Sequence, residues 1–411
     1  MERGAKYKVT TKDEEFEGIF VSQTEDAYFF KQKSGYNVGI KKDAKIKLLQ
    51  KPLQVKTSPK KKTKVPQITI LHTGGTIASK VDYATGAVSD SFTPEEILQL
   101  FPELKKWDID SILISNMPSD DMNFNHYNIM VDAITQQIKR GVKGIILTHG
   151  TDTLHYTAAA LSFCLQNLQI PVVIVGSQRS SDRPSSDAAN NLIAAVNWIN
   201  QKMPGVFVCM HNSLNDNSCD ILEGTNIMKL HSSRRDAFKS LTGGTIATIT
   251  LPDKIKIHRK LKNTKKFSPT KFNPKIKVGI LKARPGLKPE EFDIYKKYDG
   301  LILEGTGLGH FPITKFDSHT EDNKKVFEKI KELAKKIPIA MTTQTVYGRI
   351  NLNVYRPGRH LKNEGILGHN LAMSTETAYI KLVWLLSNHK KDVKKLYSSN
   401  LVGEINSRST L

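Results

Sequence analysis

The sequence predicts an α/β protein of two units behind a small N-terminal all-β barrel. Three observations lead there. Residues 1–50 break into short stretches separated by turn signals, and from residue 67 onward continuous apolar runs alternate with helical stretches. Two lysine-rich stretches without acidic residues, 51–66 and 254–275, divide the chain between these textures.

Taken in order, "AKYKVTT", "EEFEGIFVSQ", "AYFFKQK", "YNVGIKK" and "AKIKLLQ" read as five short strands, since turns at this spacing suit a small antiparallel barrel. The segment 51–66, "KPLQVKTSPKKKTKVP", carries six lysines, three prolines and no acid, which is a linker composition. In 67–253, "QITILHTGGTIAS", "VKGIILTHGTDTLHYTAAALSFCL", "IPVVIVGSQ" and "GVFVCMHN" supply buried strands, and "AANNLIAAVNWIN" supplies a helix. Such alternation predicts a parallel sheet covered on both faces. The basic stretch 254–275 reads as a connection. In 276–411, "KIKVGILKA", "DGLILEGTG" and "KIPIAMTTQ" are strands again, with helical candidates at 289–298 and 319–336, giving a second, smaller α/β unit.

The 411 residues include 61 Lys plus Arg against 40 Asp plus Glu, a formal net charge of +21. With 39% hydrophobic residues the chain has enough apolar side chains for folded cores, which excludes a wholly disordered polypeptide. No apolar run approaches the ~20 residues needed to span a bilayer. The first residues lack the apolar core of a secretory signal. Cys164, Cys209 and Cys219 are too few and too scattered for a disulfide framework or a zinc knuckle. These features predict a cytoplasmic protein with no membrane contact and no metal site. The charge excess attracts polyanions, or is solvated surface lysine, and says nothing about reaction chemistry.

Two loops carry chemistry. His72-Thr73-Gly74-Gly75-Thr76 and Thr148-His149-Gly150-Thr151-Asp152-Thr153 each follow a buried strand. Ligands in open α/β sheets bind beyond the carboxyl ends of strands, so both loops can face one pocket. Gly75 and Gly150 let backbone N–H groups approach a ligand, where they can stabilise an oxyanion. A Thr hydroxyl is a weak nucleophile and needs a base. A second Thr beside a carboxylate, with a desolvated lysine next to it, can pass protons. The plainer alternatives are a turn for Gly-Gly-Thr and a helix N-cap for Thr-Asp, and Asp187 with Asn190 and Asn191 reads as a helix cap.

"TGGTIAS" and "HGTDTLHYTAAAL" resemble the two signatures of the bacterial-type L-asparaginases, which are threonine amidohydrolases. The resemblance continues through "NMPSDDMN", "VGSQRSSDRPSSDAANNL", "ILEGTNIMKLHS" and "YGRINLNVY", over about residues 67–411. It implies the asparaginase-like two-domain fold. It also implies Thr76 as nucleophile, with Thr151, Asp152 and Lys229 as a proton-relay set and Tyr83 as an auxiliary residue in a mobile loop. Ser119 and Asp120 match a substrate-holding segment, where Asp120 stands in place of the Gln of many members. Glu376 falls near the family's substrate-binding acid, which comes from a neighbouring protomer.

The 66-residue N-terminal extension and the tail "TTQTVYGRINLNVYRPGRHLKNEGIL" further resemble the D-subunit family of archaeal glutamyl-tRNA(Gln) amidotransferases. That resemblance implies a glutaminase that passes ammonia to a partner protein, the amidotransferase's E subunit. The partner binds tRNA(Gln) and uses ATP and Mg2+ to convert Glu-tRNA(Gln) to Gln-tRNA(Gln). It implies no cofactor on this chain and a homodimer core within a heterotetramer. A free cytoplasmic L-asparaginase with an added barrel, and a non-enzymatic RNA-binding scaffold, are the alternatives. The two basic connections touch tRNA phosphates or are solvated linkers, and the sequence leaves both open.

Overall fold

The computed structural model describes residues 1–2, 5–23, 25–32, 37–51, 65–81, 88–90, 104, 107–181, 186–261 and 265–406. Most of the 51–66 linker and Tyr83 lie outside the described residues.

Five strands form the N-terminal unit: β1 Lys6–Thr10, β2 Glu15–Gln23, β3 Ala27–Gln32, β4 Asn37–Lys41 and β5 Lys45–Gln50. They pair antiparallel in the order β4-β3-β2-β1-β5. Alternation sends Tyr7 and Val9 inward, where they meet Ala5, Phe20, Phe30 and Ile40. Tyr7, Phe20 and Phe30 pack edge to face with centroids 5.7–6.2 Å apart, the arrangement aromatic quadrupoles favour.

The first α/β unit is built on an eight-stranded sheet, counted among the described residues. Its strands are β6 Ile68–His72, β7 Ile109–Leu113, β8 Gly144–Thr148, β9 Pro171–Val175, β10 Gly205–His211, β11 Ser218–Glu223, β14 Ala247–Thr250 and β15 Lys254–Ile257. Between β11 and β14 stands a separate hairpin of β12 Ile227–Lys229 and β13 Phe238–Ser240. The large sheet runs β15-β14-β11-β10-β9-β8-β6-β7. From β7 to β10 the pairings are parallel, and from β10 to β15 they are antiparallel. The sheet is therefore mixed rather than parallel throughout, because the short connections 212–217 and 251–253 return the chain directly into antiparallel neighbours.

Both faces are covered. On one face Ile70, Ile146, Val173 and Phe207 pack under α3, Ala188–Ile199. On the other, Leu71, Leu147, Ile174 and Val208 pack under α1 Phe124–Arg140 and α2 Leu154–Cys164. Each such fully buried apolar side chain contributes roughly 1.5–3 kcal/mol. The three cysteines are free and buried in this interior.

The stretch 254–275, expected as a connection, departs from that expectation at its start. Lys254–Ile257 is the edge strand β15, its isoleucines half-buried and its lysines exposed.

The second unit has three parallel strands, β16 Val278–Lys282, β17 Gly300–Gly305 and β18 Ile339–Thr343, in that order. Helix α4, Glu321–Ala334, fills the second helical candidate. The first, Pro289–Lys297, is a 3-10 helix rather than an α-helix. Helix α5, Thr375–Asn388, is buried on nearly all sides and joins the units. Its Trp384 stacks on Phe163 of α2 at 5.8 Å, and its apolar residues share one core with both sheets. Within α5, the fully buried Lys381 pairs with the fully buried Glu404 at 2.6 Å. Lys381 also donates to the Ser399 carbonyl at 2.7 Å, while Glu404 accepts from the Leu401 and Val402 N–H groups. Among the described residues, no helix is long and apolar enough to cross a membrane.

Candidate active site

The parallel register aligns the carboxyl ends of four strands. His72 lies opposite Leu113 and Thr148, and Thr148 lies opposite Val175. The loops that leave these ends therefore start at one level. Gly74 and Gly75 have φ of +100° and +82°, a backbone that favours glycine. A Cβ on Gly75 would sit 2.5 Å from Gly150 Cα, so the two motif loops press glycine to glycine. A Cβ on Gly74 would sit 2.6 Å from Met117 N, and one on Gly150 would sit 2.8 Å from Ser119 Oγ. Three loops thus converge around 74–76, 116–119 and 149–153.

Thr76 follows the two glycines, half-buried, as the first residue of the 3-10 turn Thr76–Ala78. The turn is tied down by Ser181, whose hydroxyl donates to the Ile77 carbonyl at 2.7 Å. In the second loop Thr151 is buried and Asp152 exposed. Lys229 ends β12 and reaches both, donating from Nζ to Thr151 Oγ1 and to Asp152 Oδ1 at 2.8 Å each. Its side chain is 9% exposed against 71% for Asp152, so the cation is shielded while its counter-ion faces solvent. The structure brings Thr151, Asp152 and Lys229 into hydrogen-bond contact.

The N-cap alternative for this loop is not what forms. Thr153 stands at the N-cap of α2 without a side-chain cap bond, and its hydroxyl donates to the Ser119 carbonyl at 2.6 Å. Ser119 is buried and its Oγ accepts from Thr153 N–H at 3.3 Å. Asp120, next to it, is exposed. Glu376 lies in the first turn of α5 with Oε2 buried and without a hydrogen-bond partner. Among the described residues no hydrogen bond or ion pair joins it to Thr151, Asp152 or Lys229. Its carboxylate, after burial, helps push the Tyr156 phenol up.

Sequence reasoning missed several neighbours. His155, one turn beyond Thr151, is buried with Nδ1 unpartnered; burial first, and then the Lys229 cation, push it down to about 4, so it is neutral at pH 7. Burial also pushes His72 and His149 down to about 4. His72 is held between the Thr148 and Ser111 hydroxyls at 3.0 and 2.8 Å. Asp187 does not cap α3. Its fully buried carboxylate instead accepts from Ser177 Oγ at 2.8 Å, from Gln178 and Arg179 N–H at 3.0 and 3.1 Å, and from Asn191 Nδ2 at 3.1 Å. This fixes the loop after β9, whose Gln178 Oε1 accepts from Thr151 Oγ1 at 3.5 Å. A carboxylate preceding a helix looks like a cap in sequence; only the return of the 176–179 loop reveals its partners.

Residues 67–263 match the family described as Asparaginase, N-terminal, and residues 277–397 match the Glutaminase/Asparaginase C-terminal domain. A glutamyl-tRNA(Gln) amidotransferase D subunit of Methanococcus maripaludis is 41% identical over 99% of this chain and 98% of its own. The D subunit of the same amidotransferase from Pyrococcus abyssi is 39% identical over 92% of this chain and 87% of its own. Among solved structures, the thermostable L-asparaginase from Thermococcus kodakarensis superposes with a TM-score of 0.73 at 30% identity, covering 83% of this chain and 99% of that one.

Proposed function

The chain belongs to the asparaginase family and, within it, to the glutamyl-tRNA(Gln) amidotransferase D subunits, and on that premise we propose that it hydrolyses glutamine to supply ammonia for converting Glu-tRNA(Gln) to Gln-tRNA(Gln). The observation that carries the reading is the Lys229 contact to Thr151 and Asp152, formed where the Thr76 loop presses on Gly150. Thr76 Oγ1 attacks the carboxamide carbon of glutamine. The C–N bond then breaks, and ammonia leaves with the proton that the Thr151, Lys229 and Asp152 set takes from the hydroxyl and returns to nitrogen. Water hydrolyses the resulting Thr76 ester, giving glutamate and regenerating the hydroxyl. Backbone N–H groups of the converging loops supply stabilisation of the tetrahedral oxyanion.

In this reading the ammonia passes to the amidotransferase's E subunit, which holds ATP, Mg2+ and the tRNA, while this chain carries no cofactor. The complex is cytoplasmic, with a homodimer of this chain at its core and Glu376 serving a neighbouring copy. Ser119 and Asp120 hold substrate, and Tyr83 assists Thr76. The five-stranded N-terminal sheet closes as a small barrel around Tyr7, Phe20 and Phe30, a reading supported by their shared burial.

The likeness to the Thermococcus L-asparaginase favours a second reading, a free asparaginase with an extra N-terminal unit. Ammonia release from glutamine and from asparagine, with and without the E subunit and Glu-tRNA(Gln), separates the two. The coupled protein releases little ammonia alone and more with both partners present, whereas rapid asparagine hydrolysis by the isolated chain overturns it. Thr76→Ala and Lys229→Ala each abolish ammonia release while the circular dichroism spectrum stays native; native turnover in either variant refutes the mechanism.

A further inference from the structure

The hairpin that delivers Lys229 is closed at its base by polar side chains, and the end of the chain grips that base. Asn226 stands immediately before β12, and Thr242 two residues after β13. Thr242 Oγ1 donates to Asn226 Oδ1 at 2.8 Å, and Leu241 N–H donates to the Asn226 carbonyl at 2.8 Å. Asn226 Nδ2 donates to Glu223 Oε2 at 2.8 Å and to the Gly403 carbonyl at 2.8 Å. Asn406 Nδ2 donates to Thr242 Oγ1 at 2.9 Å. The tail thus holds one residue on each side of the hairpin. Arg259 pairs with the same Glu223 carboxylate at 2.6 Å, so that acceptor is itself fixed.

The other end of the tail is anchored as firmly. The Lys381–Glu404 pair and the Lys381 bond to the Ser399 carbonyl fasten residues 399–404 to α5. The Lys381 ammonium also lies 5.6 Å from the Tyr397 ring centroid. A buried pair with its remaining donors and acceptors satisfied holds one geometry, since breaking it strands a charge. Lys229 lies three residues along the chain from Asn226. A shift at the base is therefore carried directly to Nζ, which must reach two acceptors at 2.8 Å.

We infer that residues 399–406 are a latch that sets the position of Lys229, acting through Asn226 as a positioning residue. The inference rests on the reading of Lys229 as part of the proton relay. Because Lys229 serves the chemical step, a loosened latch lowers kcat and leaves substrate binding largely intact. It also exposes an ammonium that the native hairpin shields.

The test uses the full chain with its partner protein and compares Asn226→Ala, Asn406→Ala and the double variant. Asn226→Ala is expected to lower kcat for ammonia release about 30-fold, inside the ~10²-fold that a 1 Å misplacement can cost. The glutamine KM should stay within about threefold of native, and the pH profile of kcat should shift. Asn406→Ala gives a smaller fall, and the double variant falls no further than Asn226→Ala, because both act through one contact set. Acetylation of Lys229 in the free protein, followed by mass spectrometry, should quicken about tenfold in Asn226→Ala, a readout that depends on no activity. Native kcat and native labelling in Asn226→Ala overturn the latch, as do losses that simply multiply in the double variant. Faster labelling with unchanged ammonia release instead removes Lys229 from the relay, and with it the mechanistic meaning of the latch.

Discussion

The two motif loops leave neighbouring strands at the same level, yet they are built by different means. The 73–77 loop is shaped by backbone: two consecutive glycines at positive φ let it fold against Met117 and Gly150 with no room for a Cβ. The 149–153 loop is shaped by side chains, with Thr151 and Asp152 bonded to Lys229 and Thr153 bonded to Ser119. Steric closure fixes where Thr76 stands, and polar contacts fix where the Lys229 ammonium stands. The first kind of loop tolerates almost no change; the second degrades contact by contact.

Substitution separates these cases. Gly75→Ala should have the largest effect, because the new methyl collides with Gly150 main chain and the residue needs φ of +82°. Ammonia release is expected to fall at least ~10³-fold, the scale of losing an oxyanion donor with its nucleophile displaced. A loss under tenfold would mean that the loops do not depend on this contact. Asp152→Asn keeps the shape and removes the counter-charge of Lys229, and is expected to cost about 10²-fold in kcat, read from steady-state kinetics. Ser119→Ala removes a neutral hydroxyl that accepts from Thr153 N–H and that the proposed function sets against substrate, and about a fivefold loss is expected. An Asp152→Asn variant more active than Ser119→Ala would reverse the ranking of polar contacts.

A buried imidazole stands behind each loop, and these allow a test without catalysis. His72 and His149 are pushed down to about 4 by burial, below the ordinary value of 6.5. Between these values the unfolded chain binds more protons than the native one, so stability is lost as pH falls from about 6.5 towards 4 and is fully present above that window. Each imidazole accounts for up to roughly 3 kcal/mol. Urea midpoints at pH 7, 5.5 and 4.5 should fall, and His149→Gln or His72→Gln should flatten the slope. An unchanged slope in both variants would mean that other groups govern acid sensitivity.

Much of this was legible in sequence because apolar runs are strong signals: "ITILH", "GIILT" and "PVVIV" are each fully buried strands. Strand direction was not legible, since the run ending at Glu223 looks the same whichever way it pairs. Lys254–Ile257 was hidden because two lysines in four residues resemble linker, although alternation with isoleucine suits an edge. In the site, Thr76, Thr151 and Asp152 stood out through their post-strand loops. Lys229 did not, because no local pattern links a lysine to a threonine 78 residues away. Resemblance supplied it, and geometry brought it into contact. Gln178, His155 and Asn226 lie within the stretches that carry the resemblance, yet no pattern of residue type or spacing marks them individually.

The lysines of β15 give part of the charge excess a role other than binding. Among the described residues this strand is the last of the large sheet, with Lys254 and Lys256 exposed. Such an edge is a template for strand addition, and a growing intermolecular sheet would stack like charge on like charge at this position. Replacing both lysines with threonine would remove that repulsion, and is expected to be felt first in the shelf life of the protein.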